Sequence, residues 1–246
     1  MATDNDPVDY AYISWRLARE TVEQHEAARP LKRTSAGLNL RVLEFQRQEV
    51  PVDFNNRFDL ANRATTAVKS LTGTLLSPGP YIRETIGLDF MKVQVYIGFK
   101  NTGRQVIAGF FSDCALSDNS RVFIALFGSI TNVRGWRATD DLEADVFPSD
   151  AAGLYEILDS TMEPQDAPII KHYIKDGRGL DAIGRFNAAH AIAFRHDQPL
   201  RYSGDFEFLA VRHDLVFDAT LNGQHYDVAL LGAPIWIRSP QPIPLK

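Results

Sequence analysis

The sequence predicts an α+β fold that is mainly β, a sandwich or strongly twisted antiparallel sheet with inserted helices and an N-terminal helical arm. Three observations lead there. Asn222-Gly223 sits between two alternating apolar and polar runs, the strongest short signal for a two-residue type I′ hairpin, whose central residues both need φ > 0. Val93, Val95, Ile97 and Phe99 alternate with Gln94, Tyr96, Gly98 and Lys100, which is strand periodicity with one core face. Apolar residues at helical spacing, by contrast, cluster near the N-terminus and between residues 138 and 196.

Taken in order, Asp6-Pro7 is a good N-cap and first-turn pair, predicting a helix that runs to about Ala28 before Pro30. Val8, Tyr12, Trp15, Ala18 and Val22 form its apolar stripe, opposite Arg16, Arg19, Glu20, Glu23 and Glu26. Two placements fit such a helix: packed on its own domain, or reaching as an arm to a neighbouring subunit. With its linker it spans residues 1–37. Leu38–Phe54 reads as one or two strands interrupted at Pro51, and Arg57–Leu71 as a helix stopped by Gly73. Leu75–Pro80 is a turn-rich link. The β-rich centre runs from Tyr81 to Phe127, with a turn at Asn101-Thr102-Gly103, a polar loop at Ser112–Ser120 containing Cys114, and a nearly continuous apolar strand from Arg121.

Residues 138–196 form the helical insertion within a single globular unit spanning 38–238. Its first half carries nine acidic residues, from Asp140 to Asp166, and no Lys or Arg, which reads as a solvated acidic face or a patch for a basic partner. Ser149 or Asp150 caps a helix bearing Leu154, Ile157 and Leu158, and a second short helix covers Asp166–Asp176. Leu180–His196 is a further helix with Ile183, Phe186, His190 and Phe194, where His190 reads as a satisfied polar group rather than a ligand. Strands Phe206–Val211 and Ile235–Ile237 flank the hairpin, and 239–246 is an extended, Pro-rich tail.

The hairpin register follows from its turn. Leu221 faces Gln224, and stepping outward pairs Thr220 with His225, Ala219 with Tyr226, Asp218 with Asp227, Phe217 with Val228, Val216 with Ala229 and Leu215 with Leu230. Leu215, Phe217, Ala219, Tyr226, Val228 and Leu230 are then expected on one core face. Directly opposed carboxylates repel, so Asp218 opposite Asp227 demands a compensating group. Solvent or a nearby Arg or Lys supplies it, or Asp218, Asp227 and His225 form a small acidic site for a divalent cation or for acid–base chemistry, or the face meets a cationic partner. Two carboxylates are few for a hard cation.

The 246 residues are 45% apolar and 23% charged, ample for a buried core, and a net charge of −5 disfavours general nucleic-acid coating through a basic surface. One cysteine excludes an intrachain disulfide, and the N-terminus lacks the basic and apolar regions of a signal peptide, so an intracellular, reducing setting is expected. The longest apolar run is far too short to span a bilayer. Nucleophile elbows, phosphate-binding glycine patterns, zinc motifs and paired cysteines are missing from the sequence, and no cofactor is expected. Glu26-Ala-Ala-Arg29 resembles the active-site tetrapeptide of ribosome-inactivating N-glycosidases, and Val95–Phe99 their tyrosine-bearing strand. Here the tetrapeptide precedes the strand, the reverse of that family's order, and membership is not drawn from it.

These features lead to the expectation of a self-assembling structural or interaction protein, of the viral-shell or protein-lattice type, forming homo-oligomers through its terminal arms. The interface candidates are Val8, Tyr12, Trp15 and Val22 on the helix and Pro240, Pro242 and Pro244 on the tail. The alternative is a hydrolase using Asp218, Asp227 and His225, whose carboxylates on adjacent strands match the spacing of retaining glycosidases.

Overall fold

A continuous apolar run such as Val122–Phe127 is buried only by a sheet with two covered faces, and the computed structural model shows how this chain covers both. It describes residues 10–26, 56–96, 104–134, 154, 155, 158, 181–194 and 202–240. The elements in chain order are β1 (Tyr10–Ile13), α1 (Trp15–Glu26), α2 (Arg57–Ala67), β2 (Thr72–Gly73), β3 (Tyr81–Tyr96), β4 (Arg104–Ala115), β5 (Arg121–Ser129), α3 (Ala182–Ala193), β6 (Tyr202–Leu221) and β7 (Gln224–Arg238). The fold is mixed α and β and mostly β, as the periodicity predicts.

The expected sandwich is replaced by one sheet closed on itself. Strands β3, β4, β5 and β7 are successive neighbours, and β6 pairs with both β7 and β3. All these pairs are antiparallel except β5 with β7. Closure depends on β6, which is 20 residues long: its first half pairs with β3 and most of its length with β7. Two bulges bend this ladder. Leu209 pairs with Trp236 and Ala210 with Pro234, leaving Ile235 extra on β7; Arg212 pairs with Gly232 and Asp214 with Leu231, leaving His213 extra on β6. One extra residue on each strand restores the register, so the strands bend without slipping. An ion-pair triad lies across the closure: Arg83 of β3 and Arg238 of β7 each donate to a different oxygen of Glu207 on β6, both at 2.6 Å.

The closed sheet divides the apolar side chains into an inside and two outsides. Ile82, Ile86, Leu88, Phe90, Val106, Ala108, Phe110, Val122, Ile124, Leu126, Phe208, Val228 and Leu230 fill the interior. Phe111, Phe123, Phe127, Ala229 and Leu231 pack outward against α3 and against the helical residues Leu154 and Leu158. On the other outside, Leu209, Ala233, Ile235 and Trp236 lie under α1 and α2, and the Trp236 indole donates to Thr65 Oγ1 at 2.9 Å. Burial on both faces of β5 explains why Val122–Phe127 reads as apolar throughout.

The N-terminal expectation is corrected. Tyr10–Ile13 is a strand, not part of a helix, and α1 starts only at Trp15. The aromatic and β-branched residues alternate in burial partner: Tyr10 and Ile13 face the α1–α2 layer and Tyr12 the barrel interior. β5 stays paired with β7 only as far as Leu126–Gly232; beyond that, β1 pairs with Arg238, Ile237 and Trp236 on one side and meets Val133 on the other. β1 is thus a wedge completing the barrel wall. Gly128 is where that wedge comes closest, since a Cβ there would collide with the Tyr12 hydroxyl.

A comparable divergence at β3 and β4 has no wedge among the described residues. Their pairing starts at Asp89 on β3 and ends at Phe111 on β4. Arg83–Leu88 and Ser112–Ala115 therefore each have a strand partner on one side only among the described residues.

Other expectations shift at element ends. Ser112–Ala115, expected in a loop, belongs to β4, because Ser112 and Cys114 continue its inward parity. Gly73 lies in β2, and a 3₁₀ turn at Lys69–Leu71 ends the helical stretch. α3 is capped by Asp181, whose side chain accepts from Gly184 N at 2.7 Å, and Ile183 and Phe194 at its two ends are exposed. Val8, the linker to residue 37, residues 38–54, the stretch 166–176, Glu26–Arg29 beyond Glu26, and Pro242 and Pro244 lie outside the described residues.

Candidate functional sites

The hairpin carries its predicted register. Every predicted pair from Leu215–Leu230 to Leu221–Gln224 forms except Asp218 with Asp227. Both turn residues have positive φ, +47° at Asn222 and +85° at Gly223, as a type I′ turn requires. Asp218 also has positive φ, +52°, a conformation that Asp tolerates better than most residues. The expected single core face is corrected at this point: Leu215, Val228 and Leu230 face the barrel interior, whereas Ala219, Leu221 and Tyr226 face outward toward α3, and Phe217 is 54% exposed. On β6 the left-handed Asp218 shifts the alternation by one residue.

Asp218, His225 and Asp227 do come together. The imidazole lies between the carboxylates, with Nδ1 3.7 Å from Asp218 and Nε2 3.8 Å from Asp227. Asp227 also accepts the backbone N–H of Arg121 at 2.7 Å. Asp218 leaves the ladder at its positive φ, so the two carboxylates are not directly opposed as the register implied. The trio is open to solvent, with side chains 91%, 58% and 51% exposed, and no group of three metal-ligating residues occurs among the described residues.

Beneath the turn lies a polar chain, centred on the buried pair His190 and Tyr226, that sequence periodicity did not indicate. The Asn222 amide nitrogen donates to the Asn187 carbonyl at 3.0 Å, which fixes its orientation, and lies 3.2 Å from His190 Nδ1. His190 Nδ1 is then the acceptor, so Nε2 carries the proton and donates to the Tyr226 hydroxyl at 3.0 Å. Tyr226 in turn interacts with Asp113, whose carboxylate receives Arg121 Nε at 3.2 Å and Gln224 Nε2 at 3.0 Å. Phe123 and Phe194 stack beside the imidazole, with centroids at 5.1 and 4.5 Å. Burial lowers the His190 pKa, opposed by the charge of Asp113. Burial, reinforced by Asp113, pushes the Tyr226 hydroxyl up to about 12. At neutral pH the chain runs from a neutral imidazole through a neutral phenol to a paired carboxylate. Such a chain rigidifies a core.

A cavity of about 400 Å³ opens beside the β1 wedge. It is lined by the buried Tyr10, Tyr12 and Ile13 and by the exposed Phe58, with Asn56, Asn132, Arg57 and Arg134 contributing polar groups. Tyr12 is buried, and burial pushes its hydroxyl up to about 12, leaving it a neutral phenol 3.4 Å from Asn132 Nδ2.

The terminal interface candidates occupy varied settings. Tyr12 and Val22 are buried in the chain's own core, Trp15 is 42% exposed, and Pro240 is exposed. Asn222 was read from sequence only as a turn residue; its side chain is also the latch to α3. Asp113 and Arg121 lie eight residues apart across the β4–β5 turn; the sequence places Asp113 in a polar loop and Arg121 at the start of a strand, with nothing to join them.

Among the described residues no helix is long and apolar enough to cross a membrane. No curated protein and no solved structure matches the chain. A family model described as a family of unknown function (DUF7019) matches residues 10–239, beginning at the β1 wedge and ending just after β7, and the chain belongs to that family.

Proposed function

We propose that the protein works as a self-assembling interaction protein, and that it recruits a strand from a second copy of the chain. The observation that carries this reading is the divergence of β3 from β4. Arg83–Leu88 and Ser112–Ala115 have unfilled edges among the described residues, and an unpaired edge is a ready template for strand addition. At the corresponding gap between β5 and β7, the same barrel uses a strand to complete its wall. Exposed Leu71 and Leu76 flank β2 at the start of this edge and add apolar surface suited to a subunit contact.

The test is size-exclusion chromatography with light scattering on the full chain. A multiple of the chain mass is expected, falling to monomer in Thr85→Lys/Gly87→Lys, which places charge on the exposed side of the open edge. A strictly monomeric parent chain overturns the reading, as does an oligomer indifferent to the double substitution. Truncating residues 1–30 is a poor test because it removes β1 from the wall.

One observation favours the hydrolase alternative: the His225 imidazole lies between the Asp218 and Asp227 carboxylates. Their exposure weighs against it, because general acid–base groups gain their perturbed character from enclosure.

A further inference from the structure

We propose that the cavity beside β1 is a binding site for a small planar molecule that carries an anionic group. The volume, about 400 Å³, falls in the range of small-molecule sites. Its chemistry is two-sided. Tyr10 and Ile13 line the cavity, and the Phe58 ring stands 5.5 Å from Tyr10, centroid to centroid, while remaining 54% exposed. An aromatic face left beside a cavity is suited to stacking on a flat apolar group. The rim adds two exposed arginines, Arg57 and Arg134, and no carboxylate lines the cavity among the described residues. Arginine forks match carboxylate, sulfonate and phosphate oxygens.

The chain positions these groups from independent elements. Arg57 starts α2, where Asn56 accepts from the backbone of Phe58 and Asp59 at 3.2 and 3.4 Å, and the positive end of the helix dipole adds to the field. Asp59 is the nearest opposing charge in that turn, and its carboxylate is held by Asn56 Nδ2 at 3.0 Å. Arg134 follows the 3₁₀ turn after β5, and its backbone N–H donates to Ala11 O at 2.9 Å, fixing it to the wedge. Asn132, between them, supplies an amide at the same rim.

The test uses the full chain and a matched pair of fluorescent probes, the anion 8-anilinonaphthalene-1-sulfonate and the neutral N-phenyl-1-naphthylamine. The anion is expected to bind more tightly, and Arg57→Gln or Arg134→Gln to weaken it about tenfold, the loss of one charge-assisted hydrogen bond. Neutral-probe binding should stay unchanged in both variants, while Phe58→Ala weakens both probes. Circular dichroism confirms that these surface variants remain folded. Equal affinity for the two probes, no binding of the anion, or anion binding unaffected by either Arg substitution overturns the proposal. The oligomer test reads a different surface, so the two readings fail independently.

Discussion

His190 Nε2 donates to the Tyr226 hydroxyl at 3.0 Å, joining α3 to the strand that leaves the Asn222-Gly223 turn. Both side chains are buried, so neither partner has water to replace the other. Removing the phenol oxygen leaves the imidazole N–H without its acceptor and Asp113 without one of its interactions. Tyr226→Phe is therefore expected to lower unfolding free energy by about 1–3 kcal/mol, the cost of a buried donor left unsatisfied. Urea denaturation should show a lower midpoint with an unchanged slope. A stability equal to the parent would show that the bond contributes nothing.

The same imidazole makes stability depend on pH. Its folded pKa lies below the ordinary 6.5, with burial as the main cause. The unfolded chain therefore binds the proton more readily than the folded one. The contribution is complete above about pH 6.5 and is lost as pH falls from there toward the folded pKa, with a slope of at most about 1.4 kcal/mol per pH unit. Asp113 and Arg121 face the group from β4 and β5 with opposite effects, and Asn222 lies 3.2 Å from Nδ1. His190→Gln should flatten the profile between pH 7 and 5. Thermal melts across that window, in parent and variant, measure the difference; parallel profiles would remove His190 as the cause.

The wedge gives a prediction that tests the N-terminal strand directly. A Cβ on Gly128 would collide with the Tyr12 hydroxyl, and the next ring atom would be only 2.8 Å away. Gly128→Ala is expected to cost about 1–3 kcal/mol through overpacking. Tyr12→Phe removes the atom in closest conflict, at the cost of its 3.4 Å contact with Asn132. The double variant should be more stable than the sum of the single effects predicts, a coupling that chemical denaturation resolves. Additive losses would place Tyr12 away from Gly128.

Much of the local structure was legible because it rests on local physics. Asn222-Gly223 specified the hairpin because few dipeptides accept two positive φ angles, and a two-residue loop leaves one register. The expected face assignment failed beyond Asp218, because periodicity assumes an unbroken pleat and on β6 a single left-handed residue shifts it by one. Tyr10–Ile13 was misread for a related reason: Tyr12, Trp15, Ala18 and Val22 fit helical spacing, and the strand exists only because β7 and Val133 offer it edges. The trio Asp218, His225 and Asp227 was legible as a cluster. The polar chain through His190 was not, because its members come from β4, β5, α3 and the hairpin.

By itself, the sequence determined which segments alternate, where the hairpin turns, how its strands pair near the turn apart from Asp218 and Asp227, and that these two carboxylates and His225 would cluster there. Only the tertiary structure decided that the sheet closes. Closure depends on the two offsetting bulges in β6 and β7, on β6 meeting β3 as well as β7, and on β1 entering the gap beside β5. Each is a pairing between segments far apart in the chain, whose free energy comes from the partner and leaves no period in either strand.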